Sequence, residues 1–280
     1  MADPSIARTR VWTLIAAVSP FYQNFLHDGL AWFKSASPSV HLGAFGKHPG
    51  WNDHMDDIGL ETESILTAKR LLYLQGIAAN ISAGTWEQCE ESKRLPTFDH
   101  VFRWQRGDQY LLGRMWSSRD GKGRTHFPMI LCAHIAGKPA PRAEDVRQCL
   151  EAMRRQCLET VSAGTVREVL AEGLRSLRGL PWENDRVVEF QDLAIGDLPE
   201  FIEFHSGRFR PRRNPPSRVL RANATTRDLN RWTAAIRERL DPDAPILLIM
   251  PLHEQATWLD IIAGEPTPED LMSLRIIGPG

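Results

Sequence analysis

The stretch Phe127-Pro128-Met129-Ile130-Leu131-Cys132-Ala133-His134-Ile135 constrains the fold more than any other part of the chain. It is apolar at nearly every position, so neither face of an extended strand can lie in water, the pattern of a central strand covered on both sides. Ile246-Leu247-Leu248-Ile249-Met250, ended by Pro251, repeats that pattern near the C-terminus. Val101 to Arg106 alternates apolar and polar residues, Gly107-Asp108 supplies a turn, and Tyr110 to Trp116 returns, which reads as a hairpin. Val40 to Phe45, closed by Gly46, and Trp258 to Ile262 are further strands, and Val187–Phe190 and Leu271–Ile277 are expected to be strands too.

Helical spacing occupies the rest. Ile65, Leu66, Leu72, Leu74 and Ile77 recur over residues 62–82, with Thr62 and Ser64 available as N-caps. Val146, Leu150, Met153, Cys157, Leu158 and Val161 fit one apolar stripe. A second helix follows through Val166, Val169, Leu170 and Leu174 to Leu177, and another is expected over Asp228–Leu240, capped near Thr226. Strands interleaved with helices, one pair plainly a hairpin, predict an α/β protein. The expected architecture is a three-layer α/β/α sandwich with a mixed sheet containing an antiparallel hairpin. Residues 1–38, ending at Ser37-Pro38, read as an N-terminal arm, and 39–280 as a single α/β domain.

Composition narrows the functional classes. Lys and Arg number 34 against 35 Asp and Glu, a formal net charge of -1, so no global field favours nucleic acid or an acidic membrane. No apolar run approaches the roughly 20 residues a spanning helix needs. Arg8 and Arg10 before Val11–Val18 imitate a weak signal peptide, but no convincing small-x-small cleavage site follows. Cys89, Cys132, Cys149 and Cys157 include no C-x-x-C pair and read as reduced thiols. These features together predict a cytoplasmic protein without nucleic-acid partner, integral membrane insertion or cofactor.

Two stretches carry chemistry. The first is His41-Leu42-Gly43-Ala44-Phe45-Gly46-Lys47-His48-Pro49-Gly50-Trp51-Asn52-Asp53-His54. A phosphate loop would need glycine where His41 stands and Ser or Thr where His48 stands, so Gly46-Lys47 does not make one. His48, Asp53, His54, Asp56 and Asp57 crowd ten residues, and imidazole with carboxylate suits zinc, iron or manganese. Their spacing matches no established ligand ladder, so a metal-assisted hydrolase using His48, Asp53 and His54 stands as the alternative to a solvated loop. The second stretch is Ser117-Ser118-Arg119-Asp120-Gly121-Lys122-Gly123-Arg124-Thr125-His126, which joins two strands. It offers hydroxyl, carboxylate, guanidinium and imidazole groups, yet Ser117 and Ser118 lack the strained G-x-S-x-G frame of a serine nucleophile.

Together the two stretches resemble the type VI secretion-associated TagF (ImpM) family, over about residues 40–136. The family's G-x-F-G-K-x-P followed by Asp is similar to Gly43-Ala44-Phe45-Gly46-Lys47-His48-Pro49 with Asp53. Its S-x-D-x-x-G-R before an aromatic-Pro strand start is similar to Ser118-Arg119-Asp120-Gly121-Lys122-Gly123-Arg124 with Phe127-Pro128. The resemblance implies a non-enzymatic cytoplasmic regulator or adaptor, a post-translational repressor of type VI secretion. Its implied partner is a forkhead-associated scaffold or another secretion-system protein. It also implies partner-binding or loop-fastening roles for Lys47, Asp53, Ser118, Asp120 and Arg124, held by charge-assisted hydrogen bonds.

One feature lies outside that resemblance. Arg208, Arg210, Arg212, Arg213, Arg218 and Arg221 cluster around Pro211, Pro215 and Pro216, in an Arg/Pro-rich loop at 207–221. Guanidinium groups on a Pro-stiffened loop suit a phosphorylated or acidic partner, with a solvated surface loop as the plainer reading.

Overall fold

The computed structural model describes residues 38–107, 109–183, 219–223, 233, 245–254, 256 and 258–277. Seven strands form the main sheet: β1 (Ser39–Gly46), β2 (Asp99–Arg106), β3 (Gln109–Ser117), β4 (Pro128–Ala136), β7 (Val219–Asn223), β8 (Ile246–Pro251) and β9 (Trp258–Ala263). Their order is β1-β4-β3-β2-β8-β9-β7. The short strands β5 (Ala140–Pro141) and β6 (Trp182–Glu183) pair separately. Every pairing among the described strands is antiparallel, so the mixed sheet expected from the sequence is, among these residues, an antiparallel one. The reason is connectivity. β2, β3 and β4 form a meander, β8 and β9 a hairpin, and no helix crosses over between two adjacent parallel strands.

The expected hairpin is present, with Arg106 paired to Gln109 and Gly107 opening the turn. Gly107 there has φ +57°, the left-handed conformation such turns demand. β4 and β8 are buried along their whole lengths, as their continuous apolar runs require.

Alternating side chains of the sheet enter two apolar clusters. One joins Leu42, Leu112, Leu131, Ile135 and Leu248 to helices α2 (Ala143–Leu158) and α3 (Ala163–Arg178). Val146, Leu150, Met153 and Cys157 from α2 and Val166, Leu170 and Leu177 from α3 are the buried helical contributions. Leu158 and Val161, expected on the same stripe, are exposed: Leu158 lies one residue, about 100° of helix, past buried Cys157, and Val161 follows the end of α2. The other cluster joins Phe45, Phe102, Met115, Ile130 and Leu247 to Ile65, Leu72 and Ile77 of a helix on the opposite face, with Trp86, Leu271 and Leu274.

Helix α1 covers residues 63–82. Thr62 caps it by accepting the Ile65 N–H at 3.3 Å. Its centre, Lys69–Ile77, is wound as a π-helix, a form that is rare and concentrated at functional sites. The wider winding brings Leu71, Leu72 and Tyr73 all inward, while Leu66 and Leu74, expected on the apolar stripe, are exposed.

The segment expected to be a last strand, Leu271–Ile277, is instead a 3-10 helix over Asp270–Arg275. Thr267 starts it: the Asp270 carboxylate accepts both the Thr267 N–H and its hydroxyl at 2.8 Å. Leu271 and Leu274, three residues apart, then fall on one face and enter the α1 cluster. The expected strand at Val187–Phe190 and helix at Asp228–Leu240 lie outside the described residues, Thr233 excepted.

A charged group ties the sheet to α2. Arg114 on β3 is buried; its Nε donates to Glu151 on α2 at 2.8 Å, its Nη1 to the His100 carbonyl at 3.0 Å, and its Nη2 to Asp99. Cross-strand packing between β2 and β3 is equally close. Phe102 sits opposite Gly113, and a Cβ on Gly113 would lie 1.9 Å from Phe102 Cζ. Gly113→Ala should therefore destabilise the protein by about 1–3 kcal/mol, the usual cost of overpacking a core. Adding Phe102→Leu should recover part of that loss in urea melts; an unaffected Gly113→Ala variant would show that the ring is not seated there.

Candidate functional site

β1 ends at Gly46, whose φ of +119° belongs to glycine. A Cβ there would stand 2.2 Å from the Pro128 carbonyl oxygen at the start of β4. This close passage lets Lys47 N–H donate to that same carbonyl at 3.2 Å and turns the Lys47 side chain beneath the β3–β4 loop. The Gly-Lys pair singled out in the sequence thus has a backbone purpose unrelated to phosphate.

Lys47 is 3% exposed and Asp120, on the β3–β4 loop, is 1% exposed. Lys47 Nζ donates to Asp120 Oδ2 at 2.6 Å. The same oxygen accepts from Arg124 Nε at 2.6 Å, and Oδ1 accepts the backbone N–H groups of Lys122 and Arg124, each at 3.0 Å. Burial would raise the Asp120 pKa, but the hydrogen bonds from Lys47 and Arg124 outweigh it and hold the carboxyl well below the usual range. Asp53 closes the group from the neighbouring loop, 3.1 Å from Arg124 Nη2 and 3.6 Å from Lys47 Nζ. Desolvation opposes its ionisation, but the charges of Arg124 and Lys47 together prevail and lower its pKa. Arg124 Nη2 also donates to the Asn52 carbonyl at 3.0 Å, and the Gly121 N–H to that of Trp51 at 2.6 Å.

Four of the five residues carried by the family resemblance, Lys47, Asp53, Asp120 and Arg124, therefore meet in one network, whose Lys47–Asp120 bond alone spans 73 positions of sequence. Ser118 is half-buried on the same loop and takes no part in those contacts. Its neighbour Ser117 is used structurally, accepting the Phe98 N–H at 2.8 Å.

The histidines of the first stretch separate. His48 is buried; its Nδ1 accepts the Gly50 N–H at 3.0 Å, so Nε2 carries the proton and donates to the Cys157 carbonyl at the end of α2, 2.9 Å away. Neither nitrogen keeps a free lone pair for a metal. Desolvation lowers the His48 pKa against the raising effect of the Cys157 carbonyl. His54 is exposed and hydrogen-bonded through Nδ1 to the Tyr73 hydroxyl at 2.9 Å, with its ring edge-on to Phe127 at 5.0 Å. Desolvation lowers its pKa as well, helped by the Lys47 charge. Asp56 pairs with Arg167 of α3 at 2.5 Å, and Asp57 with Lys69 of α1. Among the described residues, no three His, Cys, Asp or Glu side chains are grouped to hold a metal ion. Arg208, Arg210, Arg212, Arg213 and Arg218 lie outside the described residues.

Sequence reasoning missed Tyr73, which the π-helical centre of α1 turns beneath the site. Phe127 was read only as the start of a strand, yet Lys47 Nζ lies 5.6 Å from its ring centre. The arrangement is a rim of paired charges over a buried ion pair. Asp120 spends all its acceptor capacity on cations and amides, so it is no general base.

No protein-family model and no curated protein matches the sequence. Among solved structures, the crystal structure of PA0076 from Pseudomonas aeruginosa PAO1 aligns with 85% of this chain and 95% of that one. The identity is 13% and the TM-score 0.42. No helix among the described residues is long and apolar enough to cross a membrane.

The lowered pKa values fix the sign of the pH response. His48, His100 and His134 are all depressed by burial, the latter two to about 3 and about 4. Each favours the folded state fully above its unfolded value of about 6.5 and loses that contribution as pH falls below it. Asp120 acts later, its contribution present above about 3.9 and lost only in stronger acid. Tm should thus decline between pH 7.5 and 5.5, before carboxylates titrate. His48→Gln, which keeps a donor for the Cys157 carbonyl, should make the decline shallower. A Tm flat across that window would show that these imidazoles charge freely in the folded protein.

Proposed function

We propose that this chain is a non-enzymatic regulator or adaptor of type VI secretion that works by protein contact. The contact surface is the rim formed by residues 47–57 and the β3–β4 loop, on a three-layer α/β/α sandwich. The supporting observation is the saturated Lys47–Asp120–Arg124–Asp53 network. Every strong acid and base in it is paired with another, which suits a surface of fixed shape and is poor equipment for turnover. Arg124 and Asp53 keep exposed edges that a partner can reach, while Lys47 and Asp120 hold the two loops in register beneath them. The resemblance to the TagF (ImpM) family supplies the rest of the reading: a cytoplasmic setting, repression after translation, and a forkhead-associated scaffold or another secretion-system protein as partner.

The test is capture of partners from native cell extract by the wild-type protein and by Asp120→Ala/Arg124→Ala, with thermal melts confirming that both are folded. The expected result is recovery of a secretion-apparatus or forkhead-associated protein by the wild type and its loss from the folded variant. Equal recovery by both would remove the loop from the contact, and no recovery by either would remove the regulatory role.

A further inference from the structure

A second pair of histidines lies away from that rim. His41 on the edge strand β1 and His134 on β4 are direct cross-strand partners, with ring centres 6.1 Å apart and planes inclined by 29°. Each ring has its proton placed by a neighbour. His41 Nδ1 is 3.3 Å from Glu61 Oε2; a carboxylate only accepts, so Nδ1 carries the proton and Nε2 presents a lone pair. His134 Nε2 is 3.2 Å from the Gln109 amide oxygen, so the proton sits on Nε2 and Nδ1 presents the lone pair. That Nδ1 is buried without any hydrogen-bond partner, on a residue only 5% exposed. Buried nitrogens are seldom left so, and each such case calls for a cause.

We propose that His41 and His134 form a two-histidine site for a borderline divalent transition-metal ion of the zinc, nickel or copper(II) kind, completed by water. Neutral imidazole binds such ions through its unprotonated nitrogen, and a carboxylate or amide oxygen on the opposite N–H is the usual device that orients it. Glu61 and Gln109 occupy those orienting positions. Nitrogen–metal bonds of about 2.0–2.1 Å put two imidazole centres roughly 5–6 Å apart around one ion, close to the 6.1 Å between these rings. His41 is 27% exposed at its side chain and opens the site to solvent. The ion would fasten the edge strand β1 to β4 and give the orphaned nitrogen its partner. The site is independent of the regulatory reading and shares no residue with it.

The experiment uses the full chain, stripped with chelator and titrated with Cu²⁺ at pH 7.5, followed by calorimetry and electron paramagnetic resonance. Expected is one equivalent of tight binding with the hyperfine signature of two nitrogen ligands. His41→Ala, at a partly exposed edge position, should keep the wild-type Tm without metal. It should lose the tight equivalent, at least a tenfold fall in affinity, and the second nitrogen. Glu61→Gln should weaken binding less than His41→Ala does. Absence of tight binding, or an unchanged equivalent and nitrogen count in His41→Ala, would overturn the site.

Discussion

The ion pair between Lys47 and Asp120 is the contact on which the arrangement of the charged rim depends. Taking a lysine and an aspartate out of water costs several kcal/mol per ion unless geometry and further hydrogen bonds return it. Here Asp120 receives four donors, two from charged side chains and two from backbone amides of its own loop. The pair therefore does more than join two residues. It fixes the turn of the loop at Lys122 and Arg124 and ties that loop to the exit of β1. Gly46 makes this geometry available, since any side chain there would collide with the Pro128 carbonyl. One backbone pivot and one buried pair thus set where Arg124 and Asp53 emerge.

The fold was legible wherever hydrophobic pattern alone decides structure. β4 and β8 announce themselves because a strand buried on both faces has no polar alternation to confuse it, and the Gly107 turn marks the hairpin between β2 and β3. Legibility failed where local geometry overrides the pattern. Leu271–Ile277 has strand-like composition, but the Thr267–Asp270 hydrogen bonds start a 3-10 helix first. Leu74 fits an ideal helical stripe, and the π winding of Lys69–Ile77 turns that stripe away from it. The parallel strands expected of an interleaved α/β chain also depend on which strands become neighbours, and a strand's composition does not encode its neighbours.

The site divides in the same way. Lys47, Asp53, Asp120 and Arg124 stand in two short motifs, and it was the resemblance of those motifs to the TagF (ImpM) family that singled them out as a set. His48 could not be resolved from sequence, because its partner is the carbonyl of Cys157, a backbone atom 109 positions away. Tyr73 was hidden for a related reason: its inward direction follows from helix winding. Arg114, a charge inside a strand, gives no sign in sequence of its burial against Asp99 and Glu151.

The buried pair is tested most directly by a double-mutant cycle in thermal melts, combining Lys47→Met with Asp120→Asn. If the pair organises the two loops, each single change leaves a buried group without its partner and lowers Tm. The double variant then loses clearly less than the sum of the two, because neither group remains uncompensated. Strictly additive losses would contradict the account and show that Lys47 and Asp120 are stabilised by separate surroundings.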